Sequence, residues 1–532
     1  MQSRDAIAGL SIAGLMLPEA IAYAGIAGLP PQRAIVSALI GGAVYLILGR
    51  SRFAIISPTS SSAAILAAAL AALPSGAGSG ASATSLVALV GAIFCVMAAS
   101  RLGGLASFIS RPVLRGFAFG LAITIIIKQL PVIVGVPLHR SAIGPLLLTL
   151  LENAGRWHVA SILTALSALA MLLILRRVPA LPGAFLVLAG GIGAALLLDL
   201  PALGVASVGA IDLVPRWEPI DLPDWQQLSR LTQLAAPIVL ILLAESWGTM
   251  RSLALRHGDR VEPNREMAAL GLANVGAAIV QGMPVGAGFS AGSAAEAAGA
   301  RSRWSSLVAV AALAVLVTLA MPLIARLPKP VLAAVVVAAL IHALNPAPLV
   351  RLWRIRRDIV AAAGAAGGVL LLGVLDGMLF AIALSLALMI RRLAAPQLSR
   401  LGQLGTSRDY VDLHYHPDAV SPPGIMIQRP AEPLFFANAE RVLGRVADLL
   451  GREPDTRQLI LSLEESFDLD STALDALAEF ATQMRTRGVT LQLARVRDHV
   501  RDLMRAAGAT DLIARSSYSV DDAVQALKKE KP

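Results

Sequence analysis

The sequence predicts a polytopic α-helical membrane protein with a small α/β domain at its C-terminal end. Three observations point there. Of 532 residues, 56% are hydrophobic and only 15% charged, and mean hydropathy is +0.70; a soluble chain runs nearer ~45–50% apolar and ~25% charged. The composition breaks near residue 395: Ala, Leu, Ile, Val and Gly dominate before it, and the chain turns mixed and charged after Arg391-Arg392. The apolar part divides into about fourteen runs of membrane-span character. A water-soluble enzyme is excluded for most of the chain, and no enzymatic activity is expected. Residues 1–393 read as a membrane domain, 394–407 as a linker and 408–532 as the soluble domain.

A bilayer core takes about 20 apolar helical residues. Between Arg, Pro and Gly punctuation the runs fall at 7–27, 32–49, 58–73, 84–100, 109–130, 158–175, 182–199, 232–250, 266–281, 289–299, 304–324, 329–343, 356–375 and 377–393. The first is expected to be a retained helix, because no small-residue cleavage site followed by soluble sequence comes after Ala6–Leu29. The third and tenth are too short to span alone, and each opens in a Pro/Gly/Ser-rich stretch. They echo one another: Ser57-Pro58-Thr59-Ser60-Ser61-Ser62-Ala63-Ala64 and Gly288-Phe289-Ser290-Ala291-Gly292-Ser293-Ala294-Ala295. A matched pair of interrupted short helices, seven spans apart, points to a transporter site between inverted repeats. The expected architecture is a seven-plus-seven repeat.

The charge balance supports this reading. Lys+Arg is 45 against Asp+Glu 35, a net +10. With the N-terminus inside, about twenty basic residues of the membrane part fall on the cytoplasmic side and about seven on the other, a positive-inside bias. It places both termini in the cytoplasm of a bacterial inner (plasma) membrane. Long outer loops are expected at 131–157 and 200–231, the second acidic through Asp199, Asp212, Glu218, Asp221 and Asp224. The basic residues are spread through short loops without an aromatic-rich platform, which argues against nucleic acid as a partner. The single cysteine, Cys95, rules out a disulfide framework and reads as a buried bystander. No phosphate-loop motif is present, so no ATP-driven pump is expected on this chain. Apart from His414 and His416, placed on one face of an expected strand, no His spacing suggests a metal, and neither metal nor cofactor is expected.

The two short helices are where chemistry is expected. A helix start carries unpaired N–H groups and about half a positive charge. Two of them facing each other at mid-membrane make an anion cradle without Lys or Arg. The hydroxyls of Thr59, Ser60, Ser61, Ser290 and Ser293 add donors, and Gly286, Gly288 and Gly292 let a ligand approach the backbone. The plainer alternative is that these small residues only allow close helix packing. Four ionisable residues lie inside spans: Glu19 after Pro18, Glu245 late in the eighth, Glu296 in the tenth, and Lys128 near the end of the fifth, where it is expected to snorkel. A carboxyl withdrawn from water can carry a proton. Glu19 and Glu245 are therefore candidates for proton coupling, against a structural hydrogen-bonding role.

The soluble tail alternates strand and helix. Strands are expected at Asp409–His414, Ile425–Gln428, Gln458–Leu463 and Val489–Ala494, and helices at Asn438–Leu450, Ser471–Arg485 and Asp498–Ala507. That is one mixed sheet with helices.

Together these residues resemble a known family. Asp5-Ala-Ile-Ala-Gly9, Leu17-Pro18-Glu19-Ala20-Ile21-Ala22-Tyr23-Ala24 and Ala27-Gly28-Leu29-Pro30-Pro31 resemble the first-span signature of the SulP anion transporters, solute carrier family 26. Asn264-Arg265-Glu266, Gly271-Leu272-Ala273-Asn274, Gly282-Met283-Pro284 and Ala298-Gly299-Ala300-Arg301-Ser302 resemble the segment running through that family's tenth helix. Pro433-Leu434-Phe435-Phe436-Ala437-Asn438-Ala439, Ile460–Leu463 and Asp470-Ser471-Thr472-Ala473-Leu474 resemble a STAS domain. The resemblance covers nearly the whole chain, in order. It implies UraA-like core and gate domains, an anion held between helices three and ten, elevator-like alternating access and commonly homodimers. Family substrates include sulfate, bicarbonate, chloride, oxalate and C4-dicarboxylates.

The residue reading and the resemblance together give as expected site residues Glu19, Tyr23, Pro58, Thr59, Ser60, Ser61, Glu245, Phe289, Ser290, Ala291, Gly292 and Ser293. Two of them depart from the family pattern. Glu19 stands where Gln is usual, and Ala291 aligns with a usual Arg. The site loses a positive charge and gains a carboxyl. A charge pair at about 4 Å is worth roughly 4 kcal/mol at an effective dielectric of 20, enough to reject a dianion unless Glu19 is protonated. The expectation is a proton-coupled carrier or one for a monovalent anion. An anion channel, and a membrane receptor signalling through its STAS domain to a cytoplasmic partner, are the alternatives. Ser471 sits where related regulatory domains are phosphorylated; the plainer reading is that Asp470 and Ser471 cap a helix.

Overall fold

A computed structural model describes residues 3–73, 79–107, 110–136, 143–175, 177, 183–209, 224–356 and 358–529. The chain divides into two compact units, Met1–Ser385 and Leu386–Pro532.

The first unit is helical, and the apolar runs explain why. Its helices are α1 (Ser3–Ala27), α2 (Pro31–Leu48), α3 (Ser60–Ala71), α4 (Ser79–Ala99), α5 (Arg111–Ile133), α6 (Ile143–Glu152), α7 (Val159–Leu175), α8 (Gly183–Leu197), α9 (Trp225–His257), α10 (Pro263–Ile279), α11 (Phe289–Ala297), α12 (Trp304–Ile324), α13 (Lys329–Leu340), α14 (Ala347–Arg354), α15 (Ile359–Leu372) and α16 (Val374–Leu393), the last crossing into the second unit. Each apolar run read from the sequence falls on one of them. Among the described residues, six helices are long and apolar enough to cross a membrane: α1, α2, α4, α5, α9 and α16. Shorter apolar helices make up most of the rest. The second long outer loop is cut short because α9 already starts at Trp225, capped by Asp224, whose side chain accepts from Gln227 N at 2.7 Å. Asp212, Glu218 and Asp221 lie outside the described residues.

Small residues set the helix spacing. A Cβ at Gly91 of α4 would sit 2.7 Å from Val275 N of α10, and one at Gly116 of α5 would sit 1.9 Å from Ala362 O of α15. With no water to exclude between spans, close backbone approach is what joins them.

Two breaks interrupt this helical order. Strands β1 (Ile56–Ser57) and β2 (Gly286–Ala287) pair antiparallel, Ile56 with Ala287 and Ser57 with Gly286. Each leads into a short helix, β1 into α3 and β2 into α11. Irregular backbone at membrane depth is tolerated only where protein satisfies it, and here each break satisfies the other.

The second unit holds β3 (Leu398–Gln403), β4 (Tyr410–Asp412), β5 (Ile425–Pro430), α17 (Ala439–Gly451), β6 (Gln458–Ser462), α18 (Ser471–Thr486), β7 (Thr490–Ala494), α19 (Asp498–Ala506), α20 (Thr510–Ala514) and α21 (Val520–Lys529). The sheet order is β4-β3-β5-β6-β7, with β5, β6 and β7 parallel and β3 antiparallel to both β4 and β5. One apolar core lies between the sheet and α17–α20, and a second lies under α21. The segment read as a linker, 394–407, thus contains β3. In Leu398–Gln403 only Leu401 and Gly402 are buried, so the strand carries no apolar alternation and is held by its two partners. His414 and His416 lie beyond the end of β4, in a turn rather than on a strand face.

Candidate functional site

The paired breaks bring the two short helix starts together. Thr59 and Gly288 are the residues before α3 and α11, and a Cβ at Gly288 would meet Thr59 Cγ2 at 3.4 Å. The two starts are built differently. At α3, Thr59 and Ser62 form a capping box: Thr59 Oγ1 accepts from Ser62 N at 3.1 Å, and Ser62 Oγ accepts from Thr59 N at 3.0 Å. At α11, Gly288 provides no side-chain cap, and Phe289 is 54% exposed.

Two helices converge on the α3 start. Glu245 of α9 accepts from Thr59 Oγ1 at 3.1 Å and from Ser61 Oγ. Tyr23 of α1 lies beside both Glu19 and Ser60. Glu19, 5% exposed, has its Oε1 buried without a hydrogen-bond partner and faces Glu245. Pro58, Thr59, Ser61, Tyr23 and Ala291 are buried, while Ser60, Glu245 and Ser293 are partly exposed. The side chain of Ser290 lies outside the described residues. Two of the hydroxyls read as anion donors, Thr59 and Ser61, are thus turned onto the protein's own carboxylate, and Glu245 sits at the positive end of α3.

The glycines also divide. A Cβ at Gly286 would meet Leu242 Cδ2 at 2.6 Å and Ser246 Oγ at 2.9 Å, and one at Gly292 would meet Leu253 and Thr249 at 3.0 Å. At both positions α9 packs against the glycine. Only Gly288 of the three leaves the backbone open.

Glu296 is not a free intramembrane charge. It lies in the last turn of α11 and pairs with Arg256 NH1 at 2.9 Å and His257 Nε2 at 2.8 Å, both from the end of α9. The loop after α11 is held by Asp5 of α1, which accepts from Arg301 N at 2.7 Å, Ser302 N at 3.1 Å and Ser302 Oγ at 2.7 Å. Two signature segments nearly the length of the membrane unit apart thus meet in one contact. Lys128 is partly buried in α5, which packs on α13 and α15.

Two buried polar side chains were given no role from sequence, Asn274 appearing only within the resemblance. Ser246, next to Glu245, accepts from Ala287 N at 2.9 Å. Asn274 of α10 holds the backbone of Val285. An amide in the middle of an apolar run was the available signal.

A family model described as the sulfate permease family matches residues 3–363, and a STAS domain model matches 416–523. A probable sulfate transporter of Mycobacterium tuberculosis is 33% identical over 99% of this chain and 95% of its own length. A chloroplastic sulfate transporter of Arabidopsis thaliana is 26% identical over 98% of this chain and 79% of its own. Among solved structures, the murine solute carrier 26 family member A9 anion transporter, in the inward-facing state, superposes with a TM-score of 0.90 at 21% identity, covering 100% of this chain and 92% of that one. The transmembrane domain of a cyanobacterial bicarbonate transporter superposes with a TM-score of 0.62 at 20% identity, covering 71% of this chain and 97% of that one.

Proposed function

The chain belongs to the sulfate permease family and carries a STAS domain, and on that premise we propose that it is a proton-coupled secondary transporter of a small anion. Sulfate is the first candidate, from the names its relatives carry. It resides in a bacterial inner membrane as a homodimer, with both termini and the STAS domain in the cytoplasm.

The observation that carries this reading is Glu245 seated on the start of α3. An ionised carboxylate there competes with any incoming anion, and Glu19 adds a second acid with an unpartnered oxygen. Protonation removes the competitor: a neutral Glu245 no longer needs the Thr59 and Ser61 donors, which then turn to the substrate. Proton and anion therefore enter together. The anion occupies the space bounded by Tyr23, Pro58, Thr59, Ser60 and Ser61 on one side and by Phe289, Ser290, Ala291, Gly292 and Ser293 on the other. No Arg replaces the lost charge at Ala291, so helix starts supply the attraction. The β1–β2 ladder and the contacts of α9 tie the two half-helices together, which suits elevator-like travel of one body past the remainder.

Uptake of labelled sulfate, bicarbonate, chloride and fumarate into proteoliposomes, with and without an inward proton gradient, tests this. Uptake of one anion that grows with the gradient is the expected result, and Glu19→Gln is expected to weaken that dependence. If Glu19→Gln leaves transport and its pH dependence unchanged, the coupling role of Glu19 fails. Currents beyond any turnover cycle would mark a channel; saturable binding without flux would mark a receptor.

A further inference from the structure

Between the end of α10 and the start of α11 the chain runs without helix, and side chains satisfy its backbone almost rung by rung. Met283 N donates to Ser37 Oγ of α2 at 2.5 Å. Pro284 O accepts from Ser62 Oγ of α3 at 3.2 Å. Val285 is held at both ends by one amide: its N donates to Asn274 Oδ1 at 2.9 Å, and its O accepts from Asn274 Nδ2 at 2.9 Å. Gly286 and Ala287 pair with β1, and Ala287 N also donates to Ser246 Oγ. Ser37, Ser62, Ser246 and Asn274 are each 0% exposed.

Asn274 does what a neighbouring strand residue would do, offering a donor and an acceptor at ladder spacing. Its second N–H donates to Leu270 O at 2.9 Å, one turn back on α10, so both donors are used and the rotamer is fixed. α11 spans only Phe289–Ala297, and its far end is separately anchored through Glu296 and the Asp5 contacts. Where the near end of so short a helix sits is therefore decided by the segment that Asn274 grips.

We propose that Asn274 is a positioning residue that sets the place and direction of the α11 start, with Ser246 as its second anchor, and thereby sets the affinity for the anion. The proposal rests on the reading that the anion is held at that start. Loss of the clamp leaves both ends of α11 connected but lets the near end shift, and a displacement of about 1 Å is enough to spoil a binding geometry. Affinity then falls while the turnover machinery stays in place.

The test is sulfate uptake by full-length Asn274→Ala and Ser246→Ala, with Thr124→Val as control. Thr124 is buried in α5 and donates to Gly120 O at 2.9 Å, a buried hydroxyl with no link to α11. A parallel arm places a thiol reporter at the α11 start, Phe289→Cys with Cys95→Ala, and follows its maleimide labelling rate without any anion. Asn274→Ala is expected to raise KM about tenfold, as loss of two backbone hydrogen bonds implies, with maximal rate within about threefold, and to change the labelling rate by a similar factor. Ser246→Ala is expected to do the same to a smaller extent, and it decides the matter if Asn274→Ala fails to fold. An unchanged KM with a drop in yield like that of the control overturns the proposal. If the wild type moves no sulfate, sulfate fails as the substrate but labelling still decides: an unchanged rate in both variants overturns the positioning role.

Discussion

The starts of α3 and α11 use one backbone device and fill it in opposite ways. α3 opens with a hydroxyl capping box and the Glu245 carboxylate; α11 opens with a bare glycine beside an exposed phenylalanine. A helix start is therefore not an anion site merely because it is one. Its N–H groups go to whichever acceptor is nearest, and in α3 that acceptor is supplied by the chain itself. On the proposed function, the difference would give the two halves of the cradle different tasks, α3 to report the protonation of Glu245 and α11 to hold the anion.

The largest effect is expected from removing the occupant of α3. Glu245→Gln should abolish stimulation by a proton gradient and tighten binding of a divalent anion at pH 8 by on the order of a hundredfold, since a like charge at contact distance costs several kcal/mol. Uptake that remains proton-stimulated would break the assignment. Next, Gly288→Asp would make α11 resemble α3. The backbone of Gly288, φ −67° and ψ 142°, already suits a capping residue, so the variant should lose saturable sulfate uptake while changing stability by only about a few tenths of a kcal/mol, read by thermal unfolding in detergent. Loss of uptake together with loss of fold would say instead that the position tolerates no side chain.

A smaller change sharpens the other side. Thr59→Val removes the cap of α3 and one donor to Glu245, and is expected to cost about 1 kcal/mol of stability and to move the pH midpoint of uptake. An unmoved midpoint would leave Ser61 as the donor that matters. The smallest effect serves as calibration. In α18, Asp470 accepts from Ala473 N at 2.8 Å and from Phe436 N at 2.7 Å. Asp470→Ala should cost about 1 kcal/mol, whereas Ser471→Ala should stay within about 0.5 kcal/mol. A larger effect of Ser471→Ala would show that Ser471 does more than begin a helix.

Local signals were legible and distant ones were not. The Thr59–Ser62 box is written in four consecutive residues, and the echo between the two short segments is visible because each is contiguous. Glu245 stands out in sequence as an intramembrane acid, but its seat on Thr59, 186 residues away, depends on which face α9 turns inward. The Arg and Gln residues at its ends hide the true length of α9, Trp225–His257, because an amphipathic extension does not read as a span. The same holds for β1 and β2: two-residue strands carry no periodicity, and their pairing exists only in the folded chain. Gly292 was legible as a small residue, but that Thr249 and Leu253 pack against it is visible only in the folded chain.

α9 grips α3 at both ends. Arg230 donates to Ala72 O at 2.5 Å at one, and Glu245 accepts from Thr59 and Ser61 at the other. At 1.5 Å per residue, the stretch from Arg230 to Glu245 is about 22 Å long and matches the roughly 20 Å from Thr59 to Ala72. Deleting or inserting one residue between them would turn one grip about 100° away from its target. The stretch 231–244 should therefore resist any change of length, a ruler whose graduations cannot be moved.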